Sequence, residues 1–215
     1  MIPALNEAAT LAPVVRRCLE IAEKVVLVDD GSTDGTGDIA RKAGAEVVRH
    51  ETPQGYDAAI ADGINHAFQL GAKAAITCDA DGQHRPEDVC RVAEAVLNGS
   101  ADFCAGIRDH YNRPIEAVVG LVSAKMFGTR DPFCGLKCYG RRVHEVCGEF
   151  PLDLVIGALP FYWVREKGLR QKTVLIQTQK RVDQPRFGTS VRANWKLGYA
   201  FARLAAMAIN SSRRL

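Results

Sequence analysis

The chain predicts an α/β protein, with a mostly parallel central sheet flanked by helices. Two observations carry this expectation. Short runs of small and β-branched apolar residues alternate with amphipathic stretches that close on glycine, the order that sandwiches a parallel sheet between helical layers. Two of the apolar runs also end in acids, Asp29-Asp30 and Asp79-Ala80-Asp81. Ligands of α/β sheets bind beyond the carboxyl ends of the strands, which is where these acids fall.

The elements follow in order. Residues 24–30 (KVVLVDD) read as a strand, 34–44 as a helix closed by Gly44, and 45–50 (AEVVRH) as a strand. Residues 56–71 read as a helix, 72–80 (AKAAITCDA) as a strand buried on both faces, and 85–99 as a helix. Pro86 suits the first turn of that last helix, Glu87 and Asp88 complement its dipole, and Gly99 ends it. A strand over 101–107 and a helix over 116–128 come next. From 129 the pattern loosens into irregular chain, followed by a late strand over 171–179, a polar loop, and a final helix from Ser190.

A length of 215 residues suits one domain with a full core. With 47% hydrophobic and 25% charged residues, the composition excludes disordered, collagen-like and disulfide-rich classes. The chain enters its first motif without a basic lead and apolar stretch, and the apolar run from Leu197 to Ile209 is broken by Arg203. Both features predict a cytoplasmic chain without a membrane span. Seven irregularly spaced cysteines read as reduced thiols. Cys134, Cys138 and Cys147 lack the paired C-x-x-C spacing of a zinc site.

Charge is unevenly divided. Eight of the 28 Lys and Arg, but only Asp183 of the 25 acids, fall in 180–215. The body therefore carries a net −4 and the last segment +7. Such a segment suits an anionic partner, phosphate or an anionic membrane surface. Nucleic acid is disfavoured, because no recognised motif accompanies the basic residues and the body is acidic.

On an extended chain Asp79, Asp81 and Gln83 point to one side. Two like charges so placed repel unless a cation lies between them. Carboxylate and amide oxygens are hard ligands that suit Mg²⁺ or Mn²⁺ with positions left for phosphate. A competing motif is GTGDIA at 35–40, which fits G-x-G-x-x-A with Glu51 near the position of a ribose-binding acid. That would make the chain a dinucleotide-dependent oxidoreductase. Its first glycine lies several residues past the strand, and Asp29, Asp30 and Asp34 would repel a pyrophosphate.

Taken together, IPALNEAATL, VVLVDDGSTDGT, GYDAAIADGI, CDADGQHRPED, DPFCGLKCYGRR and RFGTS resemble the family 2 glycosyltransferases with the GT-A fold. The likeness is nearest to the branch of dolichol-phosphate mannosyltransferase and polyprenyl-phosphate glycosyltransferases. The resemblance implies an inverting, metal-dependent transfer from a nucleoside-diphosphate sugar (UDP or GDP) to an acceptor such as a polyprenyl phosphate or a hydroxyl. It implies that Pro3, Leu5 and Glu7 line the nucleotide site and that Val28 and Asp30 contact base or ribose. Asp79, Ala80 and Asp81 would lie at the diphosphate, with Asp79, Asp81 and Gln83 as metal ligands. Arg108 and Arg113 resemble donor-site arginines, and Arg186 and Arg192 resemble the basic residues that reach the phosphates. Asp131 resembles the acid that faces the acceptor and, with Asp81, makes the catalytic pair.

The domain reading is 1–189 for the transferase and 190–215 for an amphipathic C-terminal helix, packed on the same domain or lying on a membrane. In that helix Arg192, Lys196 and Arg203 form one stripe, with Trp195, Tyr199, Phe201, Leu204 and Ile209 as apolar surface. A catalytically silent binder of nucleotide sugars is the third reading of the same motifs.

Overall fold

The structure is a computed structural model that describes residues 1–110, 114–153, 155, 157–179 and 191–212, with the backbone alone for 191–194, 196 and 211–212. The strands are β1 (Ile2–Ala4), β2 (Val26–Asp29), β3 (Glu46–Arg49), β4 (Ala74–Thr77), β5 (Phe103–Arg108), β6 (Lys137–Gly140) and β7 (Gln171–Ile176). The helices are α1 (Ala8–Leu19), α2 (Thr36–Lys42), α3 (Tyr56–Gln69), α4 (Pro86–Leu97), α5 (Pro114–Phe127), α6 (Arg141–Cys147), α7 (Leu159–Glu166) and α8 (Val191–Ser212).

The strands form two sheets. One is parallel throughout in the order β1-β2-β3, and the other runs β4-β6-β5-β7. In the second sheet β5 and β7 are parallel, whereas β6 is antiparallel to both of its neighbours. The sheets meet where Cys78 N donates to Met1 O at 3.0 Å and the Met1 amine donates to Ile76 O at 2.5 Å.

Strand periodicity divides the core into layers. Val26 and Val28 enter a cluster with Ile64, Phe103, Tyr139, Phe161 and Leu204, while Val25 and Leu27 point the other way, towards Leu11, Val14 and Val15 of α1. In β5, Phe103 and Ala105 face the first cluster and Cys104 faces Val92 and Val96 of α4. Both faces of the sheets are thus covered, and the apolar runs need no polar alternation.

The alternating elements from β2 to α5 match expectation to within a few residues. The irregular reading of 129–170 is corrected, since it contains β6, α6 and α7. Lys137-Cys138-Tyr139-Gly140 has no strand signature of its own, and partners on both sides draw it into the sheet. In α8, Leu197, Phe201 and Leu204 are buried whereas Trp195, Tyr199 and Ile209 are exposed. Phe201 and Leu204 therefore belong to the core, not to an outward apolar surface.

Candidate active site

Three loops converge at the carboxyl ends of β1, β2 and β4, and backbone donors stitch them together. Asn6, which adopts a positive φ of 53°, gives its N–H to Ser32 Oγ at 2.9 Å and accepts from Thr33 N at 2.9 Å through Oδ1. Glu7 N donates to Thr36 Oγ1 at 2.9 Å, and Ala8 N donates to Asp34 Oδ2 at 3.1 Å. Thr10 Oγ1 reaches Ala80 O at 3.4 Å, joining the third loop. Asparagine tolerates the left-handed region better than most residues, so the first loop turns at little cost.

The acids after β2 are structural hubs. Asp29 is buried, with Oδ1 accepting from Ser32 N and Oδ2 from Arg49 at 2.6 Å. Asp30 Oδ1 accepts from Gln54 N at 2.7 Å and faces His50 Nδ1 at 2.7 Å, and Oδ2 accepts from Gly55 N at 2.9 Å. His50 in turn meets Asp62 at 3.0 Å. This chain of contacts fixes the 50–55 loop beside the cleft. It also explains the competing glycine motif, because a Cβ on Gly37 would lie 2.6 Å from Asp29 Oδ2. That glycine makes room for a carboxylate, and a pyrophosphate would be repelled there.

After β4, Asp79 and Asp81 occupy different environments. The Asp79 side chain is 33% exposed and meets His84 Nε2 at 3.3 Å and the Tyr56 hydroxyl at 3.5 Å. Burial, and secondarily the charge of Asp79, push the Tyr56 phenol above its ordinary pKa, so it is a donor at neutral pH. Asp81 is buried, and its Oδ1 accepts from Gln83 N at 3.0 Å in a tight local turn. The Gln83 side-chain nitrogen donates to Gln179 O at 3.2 Å, which ties this loop to the chain after β7. Gly135 lies against Asp79 so closely that a Cβ there would overlap the carboxylate. Two acids on hard-oxygen chemistry fit a divalent cation whose remaining positions go to phosphate or water. Among the described residues there is no cluster of three or more His, Cys, Asp or Glu that would enclose a cation without them.

Arg108 and Asp131 are joined to each other. Arg108 Nε and Nη2 donate to the two oxygens of Asp131 at 2.8 Å each, its backbone N donates at 3.0 Å, and Nη2 also meets Glu116 at 3.3 Å. The Asp131 side chain is 2% exposed. Burial opposes the guanidinium charge, yet Asp131 and Glu116 hold its pKa above the ordinary value. Beside this pair, the buried Lys137 ammonium donates to Cys134 O and lies 5.8 Å from the Phe161 ring centre. Burial pushes Lys137 below its usual pKa, against the attraction of Cys134, Asp131 and Asp79.

Of the other expected residues, Pro3 and Leu5 are half-buried at the cleft, and Glu7 and Ala80 are buried in its wall. Val28 is corrected: it is fully buried, its side chain faces Gly63 of α3, and its backbone lies between β1 and β3. Arg113 and Arg186 lie outside the described residues, and Arg192 is placed only by its backbone in the first turn of α8. Tyr56, His84, Glu116 and Lys137 were not expected at the site. A lysine inside the otherwise apolar stretch Leu136–Tyr139 was the signal for the last of these.

A cleft over the carboxyl ends of the parallel strands β1 and β2 and of β4, with a D-x-D following β4, defines the GT-A class of transferase fold. The chain belongs to glycosyl transferase family 2, whose model matches residues 1–123, through β5 and the D-x-D. It is 31% identical over 212 residues to an uncharacterised protein of Methanocaldococcus jannaschii, covering 92% of this chain and 87% of that one. It is 27% identical over 179 residues to the UDP-N-acetylglucosamine–dolichyl-phosphate N-acetylglucosaminyltransferase of Methanococcus voltae, covering 69% and 71%. Among solved structures, glucosyl-3-phosphoglycerate synthase from Mycobacterium tuberculosis, in complex with Mn²⁺ and UDP-glucose, superposes with a TM-score of 0.69. That match has 19% identity and covers 98% of this chain and 77% of the other, a likeness of fold.

Proposed function

We propose that this glycosyltransferase transfers a sugar, with inversion and with a divalent cation, from a nucleoside-diphosphate sugar to a polyprenyl phosphate at an anionic membrane surface. The observation that carries the acceptor class is the Arg108–Asp131 pair. Both oxygens of the acid that would face the acceptor already accept from Arg108, and it is almost wholly buried. A hydroxyl acceptor needs a base to take its proton, and that acid is engaged. A lipid phosphate is already anionic at neutral pH and attacks without one.

Asp79 and Asp81 would hold Mg²⁺ or Mn²⁺, which when bound offsets the charge that builds on the departing diphosphate. Tyr56 and His84 orient the Asp79 carboxylate. Pro3, Leu5 and the loop fixed by Asp30 form the wall for the nucleoside. Arg186 and Arg192, in the basic last segment, would reach the phosphates, for which a guanidinium fork is suited. A single attack by a phosphate oxygen on the anomeric carbon gives inversion.

Membrane contact is supported by two helices that pack together, α5 and α8. Val118, Leu121 and Val122 of α5 are 60%, 76% and 44% exposed, and Trp195 and Tyr199 of α8 are 71% and 57% exposed. The two α8 rings stack in parallel at 5.7 Å. Aromatic faces beside basic residues favour the headgroup region. Among the described residues no helix is long and apolar enough to cross a membrane.

The test is transfer from UDP- and GDP-sugars to a polyprenyl phosphate in anionic vesicles, with wild type and the double variant Trp195→Ala/Tyr199→Ala. Phosphate-linked product, with vesicle binding weakened at least about tenfold in the variant (~1.4 kcal/mol), is expected. Product on a hydroxyl acceptor alone, or unchanged vesicle binding, would contradict the reading.

A further inference from the structure

The two sheets meet at Met1, and on the amino side of that residue they part around a slot. Met1 N donates to Ile76 O and Cys78 N donates to Met1 O, the pattern of a parallel ladder with Met1 opposite Thr77. Ile2 lies opposite Leu27, so Met1 is also opposite Val26. Beyond Met1 the facing chains continue as residues 23–25 on one side and 74–76 on the other. Both stretches line an apolar cavity of about 550 Å³ that lies between them.

Strand alternation decides which backbone groups face this space. Asp30 N donates to Ala4 O, so the even residues of β1 and β2 bond each other. Glu46 N donates to Val25 O and His50 N to Asp29 O, so the odd residues of β2 bond β3. Val26 N and Lys24 O therefore face the slot. In β4, Arg141 N donates to Lys73 O, which assigns Ala75 and Thr77 to β6 and leaves Ala74 O and Ile76 N facing the slot. The walls are apolar on both faces. Cys18 of α1 with Val89 and Ala93 of α4 line one face, and Ala67 and Leu70 at the end of α3 line the other.

We propose that this slot is a strand-acceptor site, which takes one extended apolar segment joined to Met1 N and running parallel to β2 and β4, so that the two sheets become one. Met1 N already occupies an amide position of the ladder with β4, and a segment joined there keeps the register without a break. Main-chain pairing to both edges gives such a site its affinity, and alternate side chains give it selectivity. The residue bonded to Met1 lies opposite Val25 and Ile76, gives its N–H to Lys24 O and accepts from Val26 N. The next lies opposite Lys24 and Ala75, and bonds Ala74 O and Ile76 N. Side chains alternate, so the first points with Ile2 towards α1, and the second points with Met1 towards α3. Helices cover both faces, so these two positions and the third are all apolar. Beyond the third, Lys73 at the mouth of the slot admits polar chain. A filled slot anchors β1, the strand that carries Pro3, Leu5 and Glu7 into the cleft.

The test compares three chains: unaltered, extended before Met1 by Val-Ile-Val, and extended by Ser-Gly-Ser, the last two behind an initiator methionine. Residue-resolved hydrogen exchange and thermal melting are the readouts. In the unaltered chain the Val26 and Ile76 amides should exchange at least about tenfold faster than those of Leu27 and Ala75, which bond β3 and β6. In the Val-Ile-Val chain that difference should disappear, and Tm should exceed that of the Ser-Gly-Ser chain by at least about 5 °C. Equal protection of all four amides in the unaltered chain overturns the proposal, and that comparison needs no variant to fold. The same Tm and exchange for both extensions, or a higher Tm without protection at Val26 and Ile76, overturns it as well.

Discussion

Replacing Gly135 by alanine probes whether the position of the Asp79 carboxylate governs activity. A Cβ there would lie 2.8 Å from Asp79 Cγ and nearer still to one oxygen. Non-bonded carbons prefer about 3.5–4.0 Å, so something must move by about 1 Å. The Gly135 backbone is held, because Thr77 Oγ1 donates to Gly135 O at 2.5 Å and accepts from Lys137 N at 3.1 Å. The carboxylate is the part that yields, since its side chain is one-third exposed and its contact to His84 is a long 3.3 Å. Overpacking costs about 1–3 kcal/mol, and an outward swing relieves most of it. We therefore expect about 1 kcal/mol, a fall of about 2–4 °C in Tm for a domain of this size. Activity should fall far more, about 100-fold, as it does for a reacting group misplaced by about 1 Å. Thermal melting and Mn²⁺-dependent transfer, measured on one preparation, separate the two effects. Turnover within twofold of wild type at the lowered Tm would refute the placement of Asp79 at the diphosphate.

Asp131→Asn leaves Arg108 buried beside Glu116 without its bidentate acceptor, a break that costs about 3–5 kcal/mol. Scanning calorimetry should show a Tm lower by about 6 °C or more, and an unchanged Tm would make Asp131 a reactive group rather than a framework one. Asp102 predicts an acid limb in stability. Hydrogen bonds from Arg170 at 2.8 Å hold its carboxyl below the ordinary range. A depressed folded pKa stabilises above the unfolded value of about 3.9 and is lost as pH falls through the folded value. Urea midpoints between pH 6 and pH 2 should therefore decline, and Asp102→Asn should flatten that decline. An identical slope in the variant would mean that other carboxylates govern it.

The parts of this molecule that were legible in its sequence are those where local pattern and tertiary demand agree. Val26 to Val28 and Ala74 to Thr77 are short apolar runs that a two-sided burial requires, and Pro86 with Glu87 and Asp88 starts α4 by local chemistry alone. The D-x-D stood out because like charges at a strand end need a purpose. Strand β6 was illegible, since its pairing comes from neighbours far along the chain. The reading of Val28 failed for a related reason. Val28 precedes Asp29 and Asp30 but lies inside β2, fully buried between β1 and β3 with its side chain against Gly63 of α3. Arg108 and Asp131 were each legible as charged residues near the strand ends, while their engagement with each other depends on how the 129–136 loop folds back on β5. Lys137 carried a signal, one cation among apolar neighbours, that only burial gives meaning.

The central claim is that Asp79 and Asp81 hold a divalent cation together with a nucleoside diphosphate. Its most direct test is Mn²⁺ electron paramagnetic resonance titrated with the wild-type chain and with Asp81→Asn, each with and without UDP or GDP. Asparagine keeps an oxygen to accept from Gln83 N, so the local turn survives. The account predicts that one nucleotide tightens Mn²⁺ binding in the wild type and that Asp81→Asn loses this by at least about tenfold (~1.4 kcal/mol) with its Tm retained. Equal nucleotide-dependent Mn²⁺ binding by both proteins would contradict it.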